Sequence, residues 1–224
     1  MKPAETVPFA ARRTGFCRVA RLYALLEKLM FGGKLEEARF CHLPHLRDCR
    51  DILLLGEGDG RCLARLAKIA SQARLHCVDA SPAMLARAAA RLSAGERARV
   101  TFIQADVAQW NPPPAAYDAV VTVFFLDCLT EAVVRNLVAK LSPALRPGAR
   151  WVWSDFVLPE RGPARWRAQI WLRAMYGFFR RSARLTAREL PPAEAIFHAA
   201  GWRAQARRDF HGIFALGLLL SQPG

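Results

Sequence analysis

The sequence predicts an α/β protein built on a doubly wound, mostly parallel sheet. Three observations carry that prediction. From Asp51 to Trp153, short apolar runs alternate with segments of helical periodicity. The runs are apolar at successive positions, as strands buried on both faces are. The first run leads into a glycine-rich turn, Gly56-Glu57-Gly58-Asp59-Gly60, that opens a helix.

The elements follow in order. Residues 1–48 include "CRVARLYALLEKLMFGGKLEEARFCHLPHL", read as two N-terminal helices broken at Gly32-Gly33. "DILLL" is the first buried strand, and "GRCLARLAKIASQA" the helix after it. "RLHCVDAS" is the second strand. "SPAMLARAAARL" is the next helix, with Ser81 as N-cap and Pro82 at the first helical position, where a missing N–H does no harm. "RVTFIQAD" and "YDAVVTVFFL" are the third and fourth strands. "TEAVVRNLVAKLSPAL" is a helix and "GARWVWSDF" the fifth strand. Right-handed crossovers between parallel strands then place helices on both faces. Beyond this rhythm lie "ARWRAQIWLRAMYGFFRR", a helix in "PPAEAIFHAAG", and "WRAQARRDF" with "GIFALGLLL" as an antiparallel strand pair.

A chain of 224 residues fits one domain, 1–224. Its parts are an N-terminal helical cap at 1–48, a ligand-binding core at 49–156, a lid or substrate insertion at 157–190, and a C-terminal helix and hairpin at 191–224. The six cysteines form no CxxC pair, which suits reduced thiols in a cytoplasm. The first residues lack the apolar core of a secretory signal, and no apolar run approaches the roughly 18 residues of a membrane span. The net charge of +14 raises the prospect of a nucleic-acid partner. Only five of the 33 basic residues are lysine, however, so arginine-rich codon usage accounts for part of it. Eleven arginines fall between Arg161 and Arg208, outside the glycine-rich half. The segment 161–188 is thus the candidate contact for a membrane surface or acidic group.

The glycine turn narrows the ligand. A dinucleotide fingerprint, GxGxxG, would need glycine where Arg61 stands, and the phosphate-binding GxxxxGK[ST] pattern is absent. Glu57 and Asp59 raise the electrostatic cost of an anion and suit a ligand with positive charge, such as S-adenosylmethionine with its sulfonium and ammonium. Asp79 ends the second strand nineteen residues past Gly60, where a carboxylate can accept from both ribose hydroxyls. Asp106 ends the third, where it can accept from an adenine amino group. Either aspartate alone would serve equally as a helix cap; the ordered set with the turn points to an adenosine site.

With "ILLLGEGDGR", "VDASPAML", "FIQADVAQW", "YDAVVTVFFLD" and "LSPALRPGARWVWSDF", the chain resembles the class I S-adenosylmethionine-dependent methyltransferases over about 105 residues. It is most similar to the small-molecule branch, including ubiquinone/menaquinone-type enzymes whose N-terminal helices close over the cofactor. The resemblance implies a seven-stranded Rossmann-like sheet ending in an antiparallel hairpin. It implies that Gly56, Glu57, Gly58 and Gly60 form the cofactor turn and that Asp79, with Ala80 beside it, binds ribose. Met84 would pack near adenine, Asp106 and Val107 would read its edge, and Val123 and Phe124 would line the methyl-donor side. One departure stands out: the family often has an acid two positions before the first glycine, where this chain has Leu54. Glu57 or an N-terminal residue would then hold the methionine ammonium.

Methyl transfer from a sulfonium is an in-line displacement, so positioning and electrostatics carry much of the catalysis. A base is needed only if the acceptor must lose a proton. Asp127, Tyr176 and His211 are the candidates for that role, with Asp155 and His198 as further ones. The alternatives are a helix cap for the aspartates and a surface position for His211. Trp171, Leu172, Met175, Phe178 and Phe179 share one helical face, while Arg165, Arg173 and Arg180 share another. That face packs on the sheet or closes over an apolar acceptor. Tyr23, Arg39, Asp155, Trp171, Met175 and Phe179 are accordingly the candidate acceptor contacts. No metal is expected, since His42 and His45 lack partners at ligand spacing. The favoured function is methylation of a small apolar or aromatic acceptor at O or C. RNA methylation is the first rival, prompted by the charge and by "NPPP" at Asn111, which precedes the fourth strand instead of following it. A non-catalytic cofactor-binding protein of the same fold is the second.

Overall fold

The computed structural model describes residues 33–158, 165–166 and 190–222. Strand β1 (Asp51–Leu55) is buried at every position because it is covered on all sides. It pairs in parallel with β2 (Arg74–Asp79) and β4 (Tyr117–Val123). β3 (Val100–Gln104) lies outside β2, and β5 (Leu145–Phe156) outside β4, both parallel. β7 (Ala215–Ser221) is antiparallel to β5, and β6 (Arg203–Phe210) completes the edge antiparallel to β7. The order is β3-β2-β1-β4-β5-β7-β6, the seven strands and C-terminal hairpin that the resemblance implies.

The period of two along β1 divides the core between the two faces. Ile52 and Leu54 pack with Leu63 and Leu66 of α2 (Arg61–Ile69) and with Leu85 and Ala88 of α3 (Pro82–Ala90). Leu53 and Leu55 face Val134, Leu137, Val138 and Leu141 of α5 (Glu131–Leu141) and Phe197 of α6 (Ala193–Ala199). Helices therefore cover both faces, as the apolar strands require. Two shorter helices complete the described set, α1 (Lys34–Phe40) and α4 (Ala94–Arg97). Ser81 caps α3, accepting from the Met84 N–H, with Pro82 at the first position, as expected.

Several boundaries differ from the sequence reading, among them the end of α5 and the start of β5. α5 stops at Leu141, where the Ser142 hydroxyl donates to the Val138 carbonyl and Pro143 has no N–H to continue the ladder. β5 then begins at Leu145, before Gly148, and pairs with β4 across a register shift between Tyr117 and Ala119. Of the two N-terminal helices expected, α1 is described; the first lies outside the described residues.

Candidate active site

Parallel strands of an open sheet present ligands at their carboxyl ends, at the point where strand order reverses. Here that point lies between β1 and β4. β1 runs directly into Gly56, Gly58 and Gly60, all with left-handed φ (64°, 65° and 86°). Each glycine meets a different constraint. A Cβ on Gly56 would overlap the Phe125 ring, and one on Gly60 would overlap the main chain of Ala88 in α3. Gly58 has open space where its Cβ would be. This is a cradle in which a ligand can approach main-chain N–H groups closely. The close helix packing that a dinucleotide fingerprint assigns to its third glycine falls on Gly60, so Arg61 is free to turn outward to Asp59 and Glu36.

The two acids of the turn do not face a ligand as simply as the sequence suggested. Asp59 pairs with Arg91 at 2.6 Å and Arg61 at 3.2 Å, so its charge is largely offset. Glu57 turns back toward α2, and its Oε1 accepts from the Leu63 N–H at 2.9 Å. Burial pushes the Glu57 carboxyl up to about 7, with Asp59 acting in the same direction and the Leu63 N–H and Arg39 against it. Leu54 is fully buried against α2 and replaces the family's acid with apolar packing.

Asp79 stands at the end of β2, its Oδ2 accepting from the Gly58 N–H at 3.2 Å and its Oδ1 from the Ser81 N–H at 2.7 Å. It therefore ties the glycine cradle to the start of α3. Ala80 lies between these two anchored positions, and Met84 is 4% exposed one turn into α3. Asp106 follows β3 and accepts the Ala108 N–H at 2.9 Å, with buried Val107 beside it. Val123 ends β4, and Phe124 adopts a left-handed φ of 51°. The Phe124 ring lies 5.0 Å from that of Phe156, and the Arg39 guanidinium stands 5.1 Å from its centroid. The turn, both strand-end aspartates, Phe124 and Arg39 are thus at one end of the sheet.

The candidate bases are distributed differently. Asp127 lies in a short 3-10 turn and does not cap α5, whose N-cap is Thr130. It is 6% exposed, and Asp155 is 2% exposed. Asp155 accepts from the Phe125 N–H at 2.9 Å and from the Trp153 indole N–H, and it shares a hydrogen bond with Asp127. Contrary to the expectation of acceptor contact, its oxygens are turned into the fold. Burial pushes Asp127 up to about 6 and Asp155 well above the carboxylate range, the latter aided by the Asp127 charge. His211 is exposed in the β6-β7 turn, at the carboxyl end of β5 but separated from β1 by β4, β5 and β7. His198 is exposed on α6. Tyr23, Trp171, Met175, Tyr176, Phe179 and most of the segment 161–188 lie outside the described residues. Phe125 and Trp153 were not singled out from the sequence, where the paired rings Phe124-Phe125 were the available signal; that Phe125 rests on Gly56 is visible only in the fold.

A family model described as a methyltransferase domain matches residues 52–148. No curated protein matches the sequence. Among solved structures, the chain is similar to mitomycin 7-O-methyltransferase, with a TM-score of 0.68, 15% identity, and coverage of 98% of this chain and 62% of that one. This chain thus spans less than two thirds of that relative. It is also similar to Burkholderia thailandensis 1,6-didemethyltoxoflavin-N1-methyltransferase, solved with 1,6-didemethyltoxoflavin and S-adenosylhomocysteine, at TM-score 0.65 and 18% identity over 100% and 94% of the two chains. An N-methyltransferase from Bradyrhizobium japonicum in complex with S-adenosylhomocysteine gives 0.61 and 17% over 85% and 88%. At these identities the likeness is one of fold. Residues 52–148 thus match a methyltransferase domain, and the solved structures share the fold.

Proposed function

We propose that this chain transfers the methyl group of S-adenosylmethionine to a small, largely apolar or aromatic acceptor, at oxygen or carbon. The observation that carries this reading is the placement of the Gly58 cradle, Asp79 and Asp106 at the ends of β1, β2 and β3, with Phe124 at the end of β4. The cofactor supplies an electrophilic methyl on a sulfonium. Asp79 fits the ribose diol because it ends β2 and anchors the cradle through the Gly58 N–H, and Asp106 with Val107 fits the adenine edge. Phe124 and Phe156 support an apolar acceptor: they pack with a described cluster of Leu35, Ala38, Phe210 and Ile213 at this same end. Arg39, beside Phe124, is suited to orienting an acidic or phenolic oxygen. The chain's residues then act mainly by holding the acceptor nucleophile in line with the methyl group. His211 and Tyr176 are the side chains proposed to take a proton where the acceptor must lose one, and 161–188 is proposed as the further acceptor wall. No described helix is long and apolar enough to cross a membrane.

The test is incubation with methyl-labelled S-adenosylmethionine and a cell extract separated into lipids, polar metabolites and RNA. Label in a small-molecule fraction is expected. Label in RNA alone would overturn the acceptor class, and cofactor binding without label anywhere would favour the non-catalytic reading.

A further inference from the structure

Phe125 joins two parts of the site that no motif connects. Its ring occupies the space that a Cβ on Gly56 would need, so it rests directly on the first glycine of the cofactor turn. Its main-chain N–H donates to Asp155 Oδ1 at 2.9 Å, while the Phe124 N–H donates to the Ser154 carbonyl at 2.7 Å. Asp155 therefore ties β5 to the turn after β4, and that turn bears on the cofactor cradle. The tie is buried, and Asp155 is hydrogen-bonded to the equally buried Asp127.

Two carboxyl groups can share a hydrogen bond only through a proton, because a carboxylate has no donor. Apart from Asp127, the groups reaching Asp155 donate: the main-chain N–H groups of Phe125 and Leu126 and the Trp153 indole. One proton therefore lies between the two carboxyls, and its titration belongs to the pair.

We propose that Asp127 and Asp155 are positioning residues: sharing one proton, they hold the turn after β4, and through the Phe125 ring the first cofactor glycine, in the geometry that binds S-adenosylmethionine. Loss of the proton leaves two buried negative charges in contact, and their repulsion moves Asp155 off the Phe125 N–H. The inference rests on the cofactor reading above. Burial favours retention of the proton near neutrality, since it raises both groups. The groups acting most strongly on the pair are uncharged: Cys128, whose thiol burial pushes far up, the Trp153 indole, and main-chain amides. Glu57, in the cradle itself, also titrates near neutrality.

The test compares wild type with Asp127→Asn by calorimetric titration with S-adenosylhomocysteine from about pH 6 to about pH 9. Asparagine supplies a permanent N–H donor to Asp155. Glu57 titrates in both proteins, so the ratio of their dissociation constants isolates the pair. The wild-type constant divided by that of the variant is expected to rise with pH, by at most about tenfold per unit for one linked proton. Asp155→Ala, with a cooperative thermal transition retained, is expected to bind weakly at every pH. A ratio that stays constant across this range overturns the proposal, as does wild-type affinity in Asp155→Ala. Should Asp155→Ala fail to fold, the Asp127→Asn ratio decides alone. Absence of wild-type binding at every pH is a distinct result: it removes the cofactor reading and this inference with it.

Discussion

Glu57 shows how one acidic side chain in the glycine turn is drawn into the fold. Its carboxyl caps the start of α2 through the Leu63 N–H while sitting within the cofactor cradle. Burial raises it from 4.5 to about 7, so the proton that the unfolded chain releases near pH 4.5 is retained by the folded protein up to about pH 7. The sign follows: the folded form is favoured fully below about pH 4.5, and that advantage is lost as pH rises to about 7. Because the residue is only half-buried, the loss is on the order of 1 to 2 kcal/mol. In the cofactor-free protein, Glu57→Gln is therefore expected to melt higher relative to wild type at about pH 8 than at about pH 5, as thermal unfolding at the two pH values would show. An equal difference at both would contradict the titration. The sequence named Glu57 but not its orientation, because cradle-facing and helix-facing carboxyls have the same residue pattern.

Among the elements, the glycine turn and the two helices it brings together were the most legible. Gly60 could be read as a cofactor glycine, but its demand comes from α3: any Cβ would overlap Ala88 and would also be strained at φ 86°. Gly60→Ala is expected to cost about 2 to 4 kcal/mol, through overpacking and left-handed strain together, and to lower the unfolding midpoint. Chemical denaturation measures this; a loss below about 0.5 kcal/mol would show that α2 and α3 can separate freely. Strand identities followed from the apolar runs, the seven-stranded sheet with its hairpin from the family resemblance, and the Ser81 cap from its position before Pro82. The α5 boundary was misread because apolar spacing continues through "LSPAL", and only the missing Pro143 N–H and the Ser142 bond to Val138 stop the helix. The roles of Asp127 and Asp155 were not legible at all: the cap and base readings share a local sequence, and what distinguishes them is a contact between the ends of β4 and β5.

For the whole molecule, the sheet order determines where chemistry can occur. Placing β4 beside β1 puts the reversal of strand order, where an open sheet forms its crevice, at the same end of the sheet as the cradle, Asp79, Asp106 and Phe124, although they span residues 56 to 124 of the chain. The net charge of +14 pointed toward nucleic acid, yet several described arginines are engaged within the fold. Arg146 bridges Asp51 and Asp118, Arg91 holds Asp59, Arg207 meets Glu194 and Asp209, and Arg208 meets Glu37. Charge alone therefore did not reveal a partner. The adenosine end of the crevice is probed by calorimetric titration of S-adenosylmethionine into wild type and Asp79→Ala. Removing a charged acceptor of two hydroxyls should cost about 1.5 to 3 kcal/mol, a weakening of roughly 10- to 100-fold. Wild type is expected to bind saturably at one site and the variant to show that loss; no saturable binding, or unchanged affinity in Asp79→Ala, would contradict the adenosine assignment.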